Sequence, residues 1–323
     1  MSNSADTRCA AFWKHTNVRS NNEVFPCCRF KYPVQKFDGD LQSILHSSEY
    51  ESLRKDSESG IKIDGCQKCY YEESIGTYSI RNFFNDNYST EQVNLEFLEI
   101  GFDNICNLTC DGCSPNFSSS WAKKLNLEKI VKTTVEINHI PDTVNKILFL
   151  GGEPFMTSRH LKLLNKISDK QNVAVEYNTN GTFLLDDATI QELAQFKRVK
   201  ITLSIDGYGE LNDAVRQGSN WDSILRFIDQ IKELNFELEI NSVIHLNNWH
   251  GIVDLAEFNN SLNVIWYCRI LTYPTHLDIV NLNEIQKQQL RSMLHTIEIP
   301  SKDNILRHIN NTLMRDNIYL EKP

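Results

Sequence analysis

Three cysteines fall within eight residues, Cys106-Asn107-Leu108-Thr109-Cys110-Asp111-Gly112-Cys113, in the spacing C-x3-C-x2-C. Iron–sulfur clusters are held by cysteine thiolates, with four ligands in the usual set. A loop that offers three leaves one iron open to an outside ligand. An open metal position is a place for chemistry, by the logic that separates catalytic from structural zinc. A zinc knot and three unrelated buried cysteines are the other readings that this loop alone leaves open.

The remaining cysteines are Cys9, Cys27, Cys28, Cys66, Cys69 and Cys268, nine in all, and eight of the nine lie in the first 113 residues. An odd count without a signal-peptide pattern at Met1-Ser2-Asn3-Ser4 argues against a disulfide framework. Reduced thiols in a cytoplasmic setting favour metal ligation, so a soluble, cytoplasmic protein is expected. The chain has 323 residues, 41% of them hydrophobic, which suits one large domain with an appendage, or two domains. A net charge of −9 disfavours a nucleic-acid backbone as the main partner. No apolar run reaches the ~18 residues of a membrane span, so no membrane partner is expected.

The elements that must position these cysteines read as alternating strands and helices. Short apolar runs rich in β-formers predict strands over 95–103, 146–151, 173–178, 199–205, 237–244 and 263–270. Amphipathic stretches lie between them: 118–132 with Trp121, Leu125 and Ile130, then 158–168, 187–196, 220–234 and 250–258. Six βα units predict a parallel sheet with right-handed crossovers, too few to close an eight-stranded barrel. The fold class expected is α/β, a partial (β/α)6 TIM-type barrel, with an irregular Cys-rich module before it. Residues 1–90 are expected to form that module, 91–280 the barrel, and 281–323 two helices split by Pro300, with Asn283 and Ser301 as N-caps. A helix is also expected over Leu41 to Leu53.

Active sites of parallel α/β barrels form at the C-terminal ends of the strands. The second strand candidate ends in Gly151-Gly152-Glu153-Pro154, the third in Asn178-Thr179-Asn180-Gly181 and the fourth in Ser204-Ile205-Asp206-Gly207. Glycines allow close backbone approach, and Glu153 is suited to accept hydrogen bonds from an ammonium group. On a strand, Ser204 and Asp206 share a face. Asn241 is polar in an apolar strand. Alternation on the sixth strand turns either Trp266 and Cys268 or Tyr267 and Arg269 inward, and an inward Cys268 could donate a hydrogen atom to a substrate radical.

The cysteine loop followed by G-G-E-P resembles the radical S-adenosylmethionine (SAM) superfamily. The resemblance implies a catalytic [4Fe–4S] cluster on Cys106, Cys110 and Cys113, with SAM chelating the open iron. It implies cofactor contacts from Gly151, Gly152, Glu153, Pro154, Asn178, Asn180, Ser204, Asp206, Arg216 and Asn241, Arg216 lying near the methionine carboxylate. One departure stands out. Family members carry an aromatic or large apolar residue before the third cysteine, against the adenine, and here it is Gly112.

The N-terminal cysteines resemble the half-size auxiliary module called twitch, related to SPASM modules, in which Gly-x4-Cys forms a hairpin. The glycine position is Asn22, the non-glycine residue most tolerant of left-handed backbone. The resemblance implies a second [4Fe–4S] cluster on Cys9, Cys27, Cys66 and Cys69, with structural zinc and unligated cysteines as the other readings. Cys28 is read as a small buried hydrophobe. The module is expected to cover the open side of the barrel. The implied function is radical SAM chemistry on a peptide by hydrogen-atom abstraction, with electrons from a donor such as flavodoxin or ferredoxin. A small-molecule (sugar or nucleotide-like) dehydrogenase is the alternative within the enzyme class. A non-catalytic zinc or iron–sulfur binding module is the alternative outside it.

Overall fold

The computed structural model describes residues 7–127 and 135–310. Ile130 in the expected helix over 118–132, the first residues and the tail beyond 310 lie outside the described residues.

The N-terminal segment is more regular than its sequence suggests. It contains α1 (Ala11–Lys14), β1 (His15–Val18), β2 (Glu23–Phe25), β3 (Gln35–Lys36), α2 (Leu41–Ile44), α3 (Ser48–Glu58), α4 (Gln67–Ser74) and α5 (Ile80–Asn87). Asn22 turns the β1–β2 hairpin with φ +60, the left-handed conformation expected of it. The single helix expected over 41–53 is two helices. Asp40 caps α2 by accepting the Gln42 N–H, and Ser47 caps α3 by accepting the Tyr50 N–H. A second N-cap side chain restarts the helix because it satisfies a first-turn donor.

From there strands and helices alternate, the six predicted strands being joined by two short ones that were not predicted, Thr109–Cys110 and Arg216–Gln217: β4 (Phe97–Gly101), β5 (Thr109–Cys110), α6 (Ser119–Lys124), β6 (Lys146–Leu150), α7 (Arg159–Leu164), β7 (Ala174–Thr179), α8 (Asp187–Leu193) and β8 (Arg198–Ser204). Then come α9 (Glu210–Val215), β9 (Arg216–Gln217), α10 (Trp221–Glu233), β10 (Glu237–Ile244), α11 (Ile252–Leu262) and β11 (Ile265–Ile270). The tail forms α12 (Glu284–Thr296) and α13 (Lys302–Asn310). Asn283 caps α12 in a full capping box. Ser301 holds φ +64 rather than the extended backbone of an N-cap. The fold is α/β with a mixed sheet that does not close, in keeping with a partial barrel. No helix of the described residues is long and apolar enough to cross a membrane.

The chain divides into two compact units. The first comprises Met1–Asn104, Val131–Glu176 and Ala188–Lys197, and the second Ile105–Ile130, Tyr177–Asp187 and Arg198–Pro323. In the first unit the strands run β6-β4-β1-β2-β3. β4 pairs parallel with both β6 and β1, and β2 and β3 continue antiparallel. Thus β1 satisfies the edge of β4, whose backbone donors and acceptors need partners. Buried polar side chains reinforce this pairing. The Asn17 amide donates to Glu99, and the His15 ring bonds the Pro26 carbonyl at 2.7 Å while facing Glu99 at 3.6 Å. Burial opposes the charge on Glu99, yet His15 and Asn17 hold its pKa below the usual range.

In the second unit β8, β10 and β11 are parallel neighbours. The stripe Ile224, Phe227, Ile228 and Ile231 of α10 is buried, and Asn220 caps that helix. Helix α11 runs to Leu262, beyond the expected 258, and Asn263 ends it in the left-handed conformation.

Candidate active site

The cysteine loop belongs to the second unit and is fixed by its own backbone. Cys110 pairs with Arg216 in the two-stranded β5–β9 ladder, and the Asp111 N–H bonds Val215 O at 2.8 Å. The Cys113 N–H closes a turn onto Cys110 O at 3.2 Å, with Gly112 at φ +74. Such a turn needs positive φ at its third position, which glycine supplies without strain. A Cβ at 112 would also lie 2.7 Å from Leu271 Cδ2. The departure at Gly112 therefore has a local cause, and Leu271 occupies the space a side chain would take.

The first turn of α6 anchors the loop from the other side. Ser118 caps the helix and donates to Leu108 O at 2.6 Å, Ser120 donates to Cys106 O at 2.7 Å, and Trp121 Nε1 donates to Cys110 O at 2.9 Å. All three sulfurs are half-buried. The Leu108 N–H reaches Cys106 Sγ at 3.5 Å and Asn180 Nδ2 reaches it at 4.0 Å. Burial pushes the Cys110 thiol up to about 12 and raises that of Cys113.

Asn180 is buried and bonds Asn107 Oδ1 at 3.0 Å, and its own Oδ1 receives the Thr182 hydroxyl at 2.6 Å. Asn178, two residues earlier, is exposed. Asp206 is 6% exposed and accepts from Arg216 Nη1 at 2.6 Å and from the Val243 N–H at 2.8 Å. Burial works against the charge of Arg216, but the Cys110 sulfur and Asp206 keep its pKa above the ordinary arginine value. Arg216 Nε is buried with no hydrogen-bond partner among the described residues.

Ser204, Asn241 and Tyr267 stand in one row across β8, β10 and β11, with Arg269 Nε donating to Asn241 Oδ1 at 3.1 Å. Tyr267 is 42% exposed on this face. Cys268 lies on the opposite, buried face beside Ser242, its thiol raised to about 12 by burial. Of the two alternations the sequence left open, Tyr267 and Arg269 therefore share the face of Asn241, and Cys268 does not.

Sequence reasoning passed over the loop after β10. Asn247 Nδ2 donates to Asp111 Oδ2 at 2.7 Å, and Asn248 Nδ2 donates to Asp206 O at 2.7 Å and Val243 O at 2.8 Å. These two asparagines tie the cysteine loop and the β8 end to one segment. An Asn-Asn pair three residues past the end of a barrel strand was the available signal.

The G-G-E-P motif belongs to the first unit. A Cβ at Gly151, φ +125, would lie 2.8 Å from Asp103 O, and the Gly152 N–H bonds that same oxygen at 3.1 Å. Glu153 is 2% exposed, and its Oε1 accepts the Phe155 N–H at 3.1 Å. Asp103, Gly152, Glu153, Thr157 and His160 line a small cleft.

The N-terminal cysteines of the first unit, Cys9, Cys27, Cys66 and Cys69, are 4–9% exposed. Cys9, Cys27 and Cys66 sit in one core cluster with Phe12, Phe25, Phe30 and Phe84. Burial raises all four thiols, Cys9 to about 12, and Arg81 acts to lower Cys9 and Cys66. Arg81 is held by Glu73 and by Arg8 O at 2.8 Å. Gly65 leaves room for the Phe30 ring, 2.4 Å from where a Cβ would stand. Cys28 is exposed, so the reading of it as buried does not hold. It follows Cys27 directly in the turn after β2, and Cys27 is buried while Cys28 is exposed. No three His, Cys, Asp or Glu side chains among the described residues form a group suited to one metal ion.

Both cysteine sets fit an iron–sulfur group by donor chemistry. Four buried thiols would ionise on binding metal. Three half-buried thiols lie beside an arginine whose Nε is a donor left over for an anionic ligand.

A family model for the radical SAM superfamily matches residues 100–259, and a second, for an iron–sulfur cluster-binding domain, matches residues 9–70. Among curated proteins, the chain is 26% identical over 199 residues to GTP 3′,8-cyclase of Aquifex aeolicus, covering 59% of each. It is 29% identical over 175 residues to the GTP 3′,8-cyclase of Campylobacter jejuni subsp. doylei, covering 52% of this chain and 53% of that one. The chain thus spans about half the length of the curated relatives it matches, from 46% to 59%. Among solved structures, AdoMet-bound anSMEcpe aligns with a TM-score of 0.44 at 19% identity, over 63% of this chain and 59% of that one. SAM-bound SuiB of Streptococcus suis aligns with a TM-score of 0.42 at 17% identity, over 76% and 58%.

Proposed function

Because the chain belongs to the radical SAM superfamily, we propose that it cleaves S-adenosylmethionine reductively at a [4Fe–4S] cluster on Cys106, Cys110 and Cys113 and begins its reaction by hydrogen-atom abstraction from a substrate. The observation that carries this reading is the loop itself. It offers three half-buried sulfurs, and the fourth cysteine of the same unit, Cys268, lies on the buried face of β11. Bound there, the cluster and the sulfonium supply a carbon radical, and the protein's part is placement and exclusion of water.

Each residue has a stated task in this reading. The Cys110–Cys113 turn fixes two sulfurs one turn apart. The Leu108 N–H and the Asn180 amide stabilise negative charge on Cys106 Sγ. Arg216, oriented by Asp206, presents its Nε to the methionine carboxylate. Glu153, with the backbone of Gly151, Gly152 and Pro154, holds the methionine ammonium. Ser204 and Asn241 complete the cofactor contacts from the sheet, and Asn178 joins them from the exposed side of β7. Cys9, Cys27, Cys66 and Cys69 close an auxiliary cluster with no open iron. We assign residues 1–90 to that auxiliary module, 91–280 to the catalytic barrel and 281–323 to a C-terminal helical extension, in a cytoplasmic enzyme supplied with electrons by a flavodoxin- or ferredoxin-type donor.

We take the substrate to be a peptide, as the resemblance of the N-terminal cysteine segment to twitch and SPASM modules implies. A nucleotide is the second reading, favoured by the likeness to GTP 3′,8-cyclases. The test begins with anaerobic reconstitution, counting iron, sulfide and zinc, then incubation with S-adenosylmethionine and dithionite. About eight irons per chain, about four for each cubane, with 5′-deoxyadenosine formed, is the expected result. Zinc in place of iron and no 5′-deoxyadenosine would sink the enzyme reading. Mass transfer of deuterium from labelled peptide or labelled GTP into 5′-deoxyadenosine then decides the substrate.

A further inference from the structure

We propose that α6 and its flanks, Phe117 to Leu127, form the docking surface for an acidic one-electron carrier protein. The proposal rests on the function above, because that reaction consumes one electron for each cleavage. The carrier loses the electron, and the sulfonium of S-adenosylmethionine takes it up as its C–S bond breaks to leave methionine. An electron source must therefore approach the cysteine loop from outside.

Three observations place that approach on α6. The first is connectivity. Ser118, Ser120 and Trp121 bond the carbonyls of Leu108, Cys106 and Cys110, so the helix touches the loop at two of its three cysteines. The second is exposure. Phe117, Leu125 and Leu127 are 48%, 52% and 47% exposed. Exposed apolar side chains gathered on one short segment mark a contact surface more than scattered ones do.

The third is charge. The chain carries −9, a field that repels acidic proteins at long range. Yet residues 114–127 contain Lys123 and Lys124 and no acidic residue. Lys124 Nζ sits 4.7 Å over the Trp121 ring and bonds Gln217 at 2.9 Å, which holds one cation directly above the indole that reaches Cys110 O. A small basic and apolar patch on an acidic protein suits the small, transient interfaces of electron-transfer encounters, where complementary charge sets the rate of association.

The test uses the full chain and flavodoxin as the probe, with Lys123→Glu/Lys124→Glu as the variant. Binding of oxidised flavodoxin is measured by isothermal titration at low and high salt, independent of turnover. The variant should bind about tenfold more weakly, and salt should weaken wild-type binding far more than that of the variant. In turnover, 5′-deoxyadenosine formation driven by reduced flavodoxin should fall about tenfold, while the dithionite-driven rate is unchanged. Equal flavodoxin binding by both proteins overturns the proposal. So does an equal loss of rate with both reductants, which would make α6 a support of the loop and nothing more. Wild-type protein that cleaves nothing with dithionite refutes the reaction instead, and the binding arm still decides the surface.

Discussion

Arg216 Nη1 lies 2.6 Å from Asp206 Oδ2, and the same arginine is the strand partner of Cys110. The pair is nearly buried, at 12% and 9% side-chain exposure. Removing one member leaves the other as an uncompensated charge, at a cost of about 3–5 kcal/mol. Arg216→Ala should therefore lower the urea midpoint strongly. Arg216→Ala combined with Asp206→Asn should be less destabilised than the sum of the single variants, by a double-mutant cycle. Arg216→Lys should fold but bind S-adenosylmethionine more weakly, since lysine lacks the Nε donor.

Gly112→Ala meets two obstacles at once. The left-handed backbone costs a non-glycine residue about 1–2 kcal/mol, and the new Cβ would press on Leu271 Cδ2 at 2.7 Å. Iron bound per chain should drop. Adding Leu271→Ala should recover part of that loss by removing the clash, while the backbone cost remains. Full recovery would show that φ at 112 is unimportant to the loop.

The cysteines should separate by chemistry. Cys106→Ala/Cys110→Ala/Cys113→Ala should retain about four irons of about eight and lose cleavage of S-adenosylmethionine. Cys28→Ala should retain both clusters. In the folded protein an alkylating reagent should modify exposed Cys28 quickly and Cys268 only on unfolding, because Cys268 is 2% exposed and its pKa stands at about 12. Mass mapping after a short exposure reads both.

His245 gives a pH dependence of stability. It is 2% exposed, and its Nδ1 accepts the Asn247 N–H at 3.3 Å. Burial lowers its pKa below the ordinary 6.5, against the opposing pull of Asp206 and Asp111. The folded state thus binds this proton less well than the unfolded state. The contribution is fully present above the ordinary value and is lost as pH falls through the folded value. Between about pH 7.5 and about pH 5 the wild-type urea midpoint should fall more than that of His245→Gln. Parallel curves would place the titration elsewhere.

Six strands in chain order, their helices and the cysteine spacings could be read from the sequence because each depends on local periodicity and residue type. The stripe at Ile224, Ile228 and Ile231 is one such signal, and Asn22 at a left-handed turn is another. The order of the N-terminal strands could not be read. His15–Val18 and Gln35–Lys36 are too short and polar to announce themselves, and β1 becomes a strand by completing the edge of β4. The break between α2 and α3 was missed because the apolar spacing continues across a new N-cap at Ser47.

By itself, then, the sequence determined the ligand chemistry: which thiols occur in metal-binding spacing, and which glycines and acids follow the strands. Tertiary structure decided which polar side chains meet. Asn247 reaches Asp111 across 136 positions and Asn180 reaches Cys106 across 74, and Cys268 turns to the buried face while Tyr267 does not. A spacing rule follows from local geometry, whereas a contact between distant positions exists only once packed strands bring their ends together.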